Sequence, residues 1–499
     1  RATITRTDGR TYFANVAGGM IVPQTTLTPL AANSNSGTTN FQVSGDIVTT
    51  SPVATGTLRI DTTTSAGSLD LAGGNLTFGR TALLMDGAND FEIRRSSGTG
   101  TIANVVVHQF GTGALIYSAT IATGGGFTKY GGGLLIGNMD SGAPGSVTIL
   151  EGVYRIAKTT AAPTGSTTLS GGGVLELGSG DFVGGLGTGN GQVRILSDGG
   201  FSAFGATRMV NLGGAGASIA WEQTNFLPGN AALVLSSRHS NATLEFVNPL
   251  NLGASTRTVR VEDGSAAVDA RLSGALTGSG SLVKTGPGTL ELTGASTYFG
   301  STTIREGVLS VNGRLAGSVN VDSGTLQGTG DGNLTGFISG GVTVGNGIGT
   351  SDSILSPGNS VGSLTTFGPL SLASDSVFKF EFDSVLGTAD KVTGAGISIA
   401  PGSIFQPSDV AVASVALPLN TTFIVLANMS ITPTSGTFSN LAHGAVFTVG
   451  PNTFRADYLG GSGDLALVVV VPEPGSFASL GGAFGLLLGF RRARRQPAS

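Results

Sequence analysis

Glu381 and Asp383 are the two carboxylates whose spacing comes closest to an acid–base pair. They sit in the run Phe378-Lys379-Phe380-Glu381-Phe382-Asp383. On a strand both carboxyls share one face with Lys379, and the three phenylalanines take the other. Cleaving a glycosidic bond needs such a pair, one group to protonate the leaving oxygen and one to attack or to activate water. The same alternation also describes an ordinary half-buried strand with a solvated charged face, and that plainer reading is the expected one.

Other chemistry is thinly supplied. The chain has no cysteine, which excludes disulfides, thiolate metal sites and cysteine nucleophiles. His108, His239 and His443 lie far apart, so a histidine metal site or a Ser-His-Asp triad would need long-range assembly, and isolated surface or turn histidines are expected. Gly460-Gly461-Ser462-Gly463-Asp464 is close to a calcium-binding nonapeptide, but its Asp comes one place early and the motif occurs once. Gly345-Asn346-Gly347-Ile348-Gly349 precedes no helical pattern and supports no dinucleotide site. The expectation is a protein that is not an enzyme and carries no metal or cofactor. A net charge of −4 without a basic stripe also argues against a nucleic-acid partner.

What must position these residues is β-structure. Of 499 residues 83 are Gly, and only 11% are charged. Long amphipathic helices need far more Lys, Glu and Arg on their wet faces, whereas Thr, Ser and Asn can solvate strands. One repeat is visible at constant offset. Gly125–Val153 aligns without gaps on Gly280–Val308, matching Lys129 with Lys284, Gly131 with Gly286, Leu135 with Leu290, and Glu151-Gly152-Val153 with Glu306-Gly307-Val308.

Each unit reads as a Gly-rich turn, a short strand such as Thr289-Leu290-Glu291-Leu292-Thr293, a loop, and a second strand over Ile304–Val311. Leu290 and Leu292 fall on one face and Glu291 on the other. Such a pair cannot bury its apolar face alone, so units must stack on neighbours, with glycines at corners where successive coils approach closely. Coils of roughly 20–25 residues rising about 4.8 Å each would build a rod ~90–110 Å long. A sandwich array is the alternative architecture.

The segment Ser279–Gly294, with Lys284-Thr285-Gly286, the strand Leu290-Glu291-Leu292 and then Tyr298-Phe299-Gly300-Ser301-Thr302-Thr303-Ile304, resembles the autotransporter-associated β-strand repeat. The copy at Gly125 is a degenerate one, with Tyr130 where Thr is usual. Leu355–Leu364 and Phe378–Asp383 with Ala389-Asp390-Lys391-Val392 resemble the passenger segment that follows such repeats. This implies a right-handed parallel β-helix.

At the C-terminus Val471-Pro472-Glu473-Pro474 precedes an apolar run, Phe477–Phe490, and then Arg491-Arg492-Ala493-Arg494-Arg495. As a helix the apolar run reaches only ~21 Å against a ~30 Å hydrocarbon core, though Gly475–Arg495 together would cross with snorkelling arginines. This order is similar to the PEP-CTERM sorting signal of Gram-negative bacteria. The resemblance implies recognition of Pro472, Glu473 and Pro474 by exosortase, a membrane transpeptidase. Arg491, Arg492, Arg494 and Arg495 would be the membrane-stop cluster, held on the cytoplasmic side.

The reading is thus an all-β, right-handed parallel β-helix (β-solenoid) with a short C-terminal transmembrane helix. Residues 1–120 form a divergent β-rich part, 121–350 the solenoid with its best repeat copy at 278–312, 351–470 a passenger-like β region, and 471–495 the sorting segment. The chain opens at Arg1 without a charged-then-apolar leader, so a mature or truncated form is expected, with its export signal inferred. The expected function is that of an exported bacterial cell-surface or matrix structural protein, anchored transiently in the inner membrane and associated with extracellular polysaccharide. An adhesin and a polysaccharide-degrading β-helix enzyme are the alternatives.

Overall fold

The computed structural model describes residues 3–5, 11–17, 20–23 and 27–471, apart from 98–100, 103–104, 123–124, 215, 330–335, 359 and 461–462. The regular elements among them are strands, with one 3-10 turn at Thr159–Ala161. No described helix is long and apolar enough to cross a membrane. The predicted membrane segment, the motif Pro472, Glu473, Pro474 and the cluster Arg491, Arg492, Arg494, Arg495 lie outside the described residues.

The strands stack as a parallel β-solenoid. One coil runs through Leu282–Thr285, Thr289–Leu292 and Ala295–Ser296, then returns to the first face at Thr302–Ile304. Each strand pairs in parallel with its counterpart one coil later, so Leu282 meets Thr302, Thr302 meets Val319 and Val319 meets Val342. Repeated coil after coil, this builds one face of 16 strands, from Ile47–Val48 to Ile397–Ile399. Earlier coils are two-sided: Phe127–Tyr130 and Leu134–Gly137 lead straight back to Val147–Ile149.

Alternation decides the interior. Leu290 and Leu292 are buried in the core, and Glu291 points outward to pair with Arg271 on the neighbouring coil. The predicted single strand Ile304–Val311 is in fact two, Thr302–Ile304 and Val308–Val311, on different faces. The break is at Gly307, whose φ is +68°. A Cβ there would lie 2.5 Å from the Gly286 carbonyl oxygen. The left-handed backbone alone would cost Ala roughly 1–2 kcal/mol. Gly307→Ala is therefore expected to destabilise by more than that, because the stacked corners must also move apart, and urea unfolding of the variant checks it.

The 16-stranded face rises about 70 Å at ~4.8 Å per strand, shorter than expected from length alone. The reason is that the chain stops adding coils near its end. Thr422–Asn428 still pairs in parallel with Lys391–Gly394, but Asp464–Val469, Asn452–Gly460 and Val446–Val449 then follow as an antiparallel set. Under that set lie Phe378, Phe380, Phe382, Phe405, Phe423, Phe438 and Phe454, all buried. Near the other end, Phe13 from the antiparallel strands Thr11–Ala17 and Met20–Pro23 packs with Ala82 and Leu84.

Candidate functional site

The aligned lysines do one job twice. Lys129 lies in register between Val107 and Ile149, and Lys284 between Val259 and Ile304, so both occupy inward columns of apolar neighbours. Both are fully buried. Lys129 Nζ donates to the carbonyls of Gly131 (2.6 Å) and Glu151 (3.0 Å). Lys284 Nζ donates to those of Gly286 (2.6 Å), Glu306 (2.9 Å) and Thr285 (3.2 Å). Each ammonium thus joins the corner of its own coil to the Glu-Gly corner of the next.

Among the described residues the carbonyls of Gly131, Glu151, Gly286 and Glu306 accept no backbone N–H, so the lysine is their donor. Burial pulls the pKa of Lys129 down to about 7 and that of Lys284 to about 8. In the second corner the Glu306 carboxylate also accepts the Gly286 N–H at 3.1 Å. The sequence held a signal for this: a charged residue at an inward position of an alternating strand, with a Gly two places on. Spacing alone did not reveal that the charge is buried.

Of the two carboxylates weighed as an acid–base pair, Asp383 has a structural duty. Phe378, Phe380 and Phe382 are buried, and Lys379, Glu381 and Asp383 share the outer face as expected. Asp383 Oδ1 accepts the N–H groups of Val385 and Leu386, both at 2.9 Å, which fixes the turn between two antiparallel strands. Beside Glu381 stands buried Asp390, whose carboxylate accepts the N–H of Glu381 at 2.9 Å and that of Gly362 at 2.8 Å. Asp390 thereby ties two strands together through backbone donors.

Of the histidines, His108 is not a surface or turn residue. It is buried on the strand Val105–Gln109, stacked on Tyr130 at 5.2 Å and edge-on to Phe13 at 5.9 Å. Burial lowers its pKa to about 4, because the ring there has little water to solvate a charge. Asp464 of the calcium-like motif uses Oδ1 to accept the Asn428 N–H at 2.8 Å. Among the described residues no three His, Asp or Glu side chains converge as metal ligands.

A cluster that the sequence did not show lies on the outside of the 16-stranded face. Glu176, Ser202 and Arg155 occupy one outer column on successive coils. Glu176 is fully buried there because residues 236–241 fold back across the face. Its carboxylate accepts hydrogen bonds from Arg155 Nε (2.5 Å), Ser237 Oγ (2.7 Å) and Ser202 Oγ (3.0 Å). Arg155 also donates to the His239 carbonyl at 2.9 Å and lies over the Phe204 ring. Further along, Arg238 reaches the Gly132 carbonyl at 3.1 Å, 106 residues away in the chain.

Residues 282–311 match the Passenger-associated-transport-repeat family. That stretch is the coil built on Lys284, Glu306 and Gly307. Over 77 residues, 15% of this chain and 7% of the relative, the sequence is 48% identical to an extracellular serine protease of Serratia marcescens. A second extracellular serine protease of that organism is 48% identical over 52 residues, 10% of this chain and 5% of the relative. The chain thus spans less than a tenth of the length of either relative. A repeat of this kind points to an exported or cell-surface protein.

Proposed function

We propose that this is an exported bacterial surface or matrix protein whose work is structural, a right-handed β-helical rod that holds a long face outward among extracellular polysaccharide. Sorting by exosortase at Pro472, Glu473 and Pro474 would follow a transient stay in the inner membrane, with Arg491, Arg492, Arg494 and Arg495 stopping transfer. The observation that carries the reading is the stack of coils locked at its corners by Lys129 and Lys284, the second within a repeat of the passenger type. Asp383, one of the two carboxylates weighed as an acid–base pair, is engaged by backbone amides, which favours a role without catalysis.

The test is mass spectrometry of the C-terminal peptide of protein recovered from outside a producing cell. A new terminus close to Pro472–Pro474 is the expected result. A tail intact through Arg495 on the released protein would end the sorting proposal and the matrix role built on it.

A further inference from the structure

Between the folded-back segment 236–241 and the outer face lies a cavity of about 460 Å³, lined by Gly132, Gly171, Gly172, Val153, Val174 and Val234 together with charged side chains. The three valines are in an apolar cluster of their own on the outside of the sheet. Four ionised groups surround this floor: Glu151, Arg238, Arg260 and Glu262. Arg260 and Glu262 neutralise one another at 3.0 Å. Arg238 and Glu151 form no salt bridge among the described residues, though both feel the buried Lys129 ammonium. A Cβ placed on Gly132 would be 3.5 Å from Arg238 Nη2 and 3.8 Å from Glu151 Oε1, so both polar ends border the same corner of the cavity, Arg238 also donating to the Gly132 carbonyl.

The repeat explains why Glu151 is available. Its aligned counterpart, Glu306, spends its carboxylate on the Gly286 N–H. Glu151 makes no such bond among the described residues, and its carboxylate lines the cavity while interacting electrostatically with Lys129.

We infer that this cavity is a saccharide-binding site, taking a neutral sugar whose adjacent hydroxyls bridge Glu151 and Arg238. A hydroxyl both donates and accepts, so one donates a hydrogen bond to the carboxylate while its neighbour accepts one from the guanidinium. The C–H face of the ring lies toward the accessible edges of Val153 and Val174, and the glycines leave room for it. The charges of the lining cancel, two guanidiniums against two carboxylates, which favours a neutral ligand over a uronate. The inference names a ligand for the polysaccharide association of the surface reading. It does not depend on C-terminal processing, so either can fail while the other holds.

The experiment is isothermal titration calorimetry of the full chain with neutral hexose tetrasaccharides and uronate-containing ones. At least one neutral tetrasaccharide is expected to bind with Kd near 1 mM or tighter, about −4 kcal/mol. Glu151→Gln and Arg238→Ala are each expected to weaken it by about tenfold or more, since each removes a charge-assisted hydrogen bond. Arg305→Ala, on a distant coil, should leave it unchanged. Glu151→Gln is the safer variant for folding, because its exposed side chain holds nothing in place, and an unchanged melting curve would verify that. Absence of binding at about 10 mM, or binding that survives both substitutions, overturns the site. A uronate that binds Glu151→Gln more tightly than the parent overturns the neutral-ligand assignment.

Discussion

Lys284→Met will destabilise the protein by about 3 kcal/mol, and Lys129→Met by a similar amount, measured as a loss in the urea unfolding free energy. The sign is not obvious in advance, because removing a buried charge also removes a desolvation penalty. What decides it is the fate of the carbonyls. Gly286, Glu306 and Thr285 accept from one ammonium, and Met offers no donor. Each buried carbonyl left without a partner costs about 1–3 kcal/mol. A neutral amine would still satisfy two of them, so the penalty on the charge is not the whole contribution of the side chain.

The same lysines set a pH dependence. Their folded pKa values, about 7 and about 8, lie below the ordinary 10.5. Between those values and 10.5 the unfolded chain binds more protons than the folded one, so stability rises with pH across that window. Above pH 10 the buried tyrosines reverse the trend. Burial raises the pKa of Tyr298 to about 12 and those of Tyr117 and Tyr154 higher still, so stability that they supply below pH 10 is lost as pH climbs through their folded values. Parent protein should show a maximum near pH 10 in melting temperature, and the double Lys→Met variant should lose the rise between pH 7 and 10. A flat profile in the parent would mean that the two corners are solvated.

Phe380→Ala is expected to cost about 3–5 kcal/mol, the usual range for emptying a fully buried phenylalanine site. Phe380 is completely buried, with ring centroids 5.6 Å from Phe405 and 6.2 Å from Phe382. The loss should fall at one end of the rod, because each coil in a stack contacts only its neighbours. Opening that end uncovers strand edges that the antiparallel set Asp464–Val469, Asn452–Gly460 and Val446–Val449 now covers. Exposed edges pair with other chains. Native-state hydrogen exchange should therefore show raised exchange over 376–469 with little change over 127–177, and light scattering should show growth in particle size at temperatures where that of the parent is constant. Uniform exchange along the chain would mean the coils unfold as one unit.

Much of the architecture was legible because it depends on local pattern. Alternation in Thr289-Leu290-Glu291-Leu292 set which residues face the core, since a strand has period two whatever surrounds it. The offset that aligned Gly125–Val153 with Gly280–Val308 implied stacking, because neither unit can bury its apolar side alone. Glycines were expected at corners, but Gly307 was read inside a single strand, and only the fold shows it as a corner with the same φ of +68° as Gly152.

Other features depended on what the third dimension placed beside a residue. Lys284 reads as a turn residue until the next coil brings the Glu306 carbonyl, 22 positions on, against its ammonium. Asp383 reads as one charge on a solvated strand face, and only the fold shows that it caps a turn. Glu176, Ser202 and Ser237 share no motif. They meet because coils stack in register and the segment after Leu235 reverses over them, and no local rule encodes that reversal. Glu151 and Arg238 come to line one cavity for the same reason. Sequence by itself determined the alternating strands, the glycine corners and the stacking of repeats, because those follow from steric limits within a few residues. Tertiary structure decided which charges are buried and paired and which are left facing a cavity, because Coulomb and desolvation energies depend on neighbours that the chain supplies from far away.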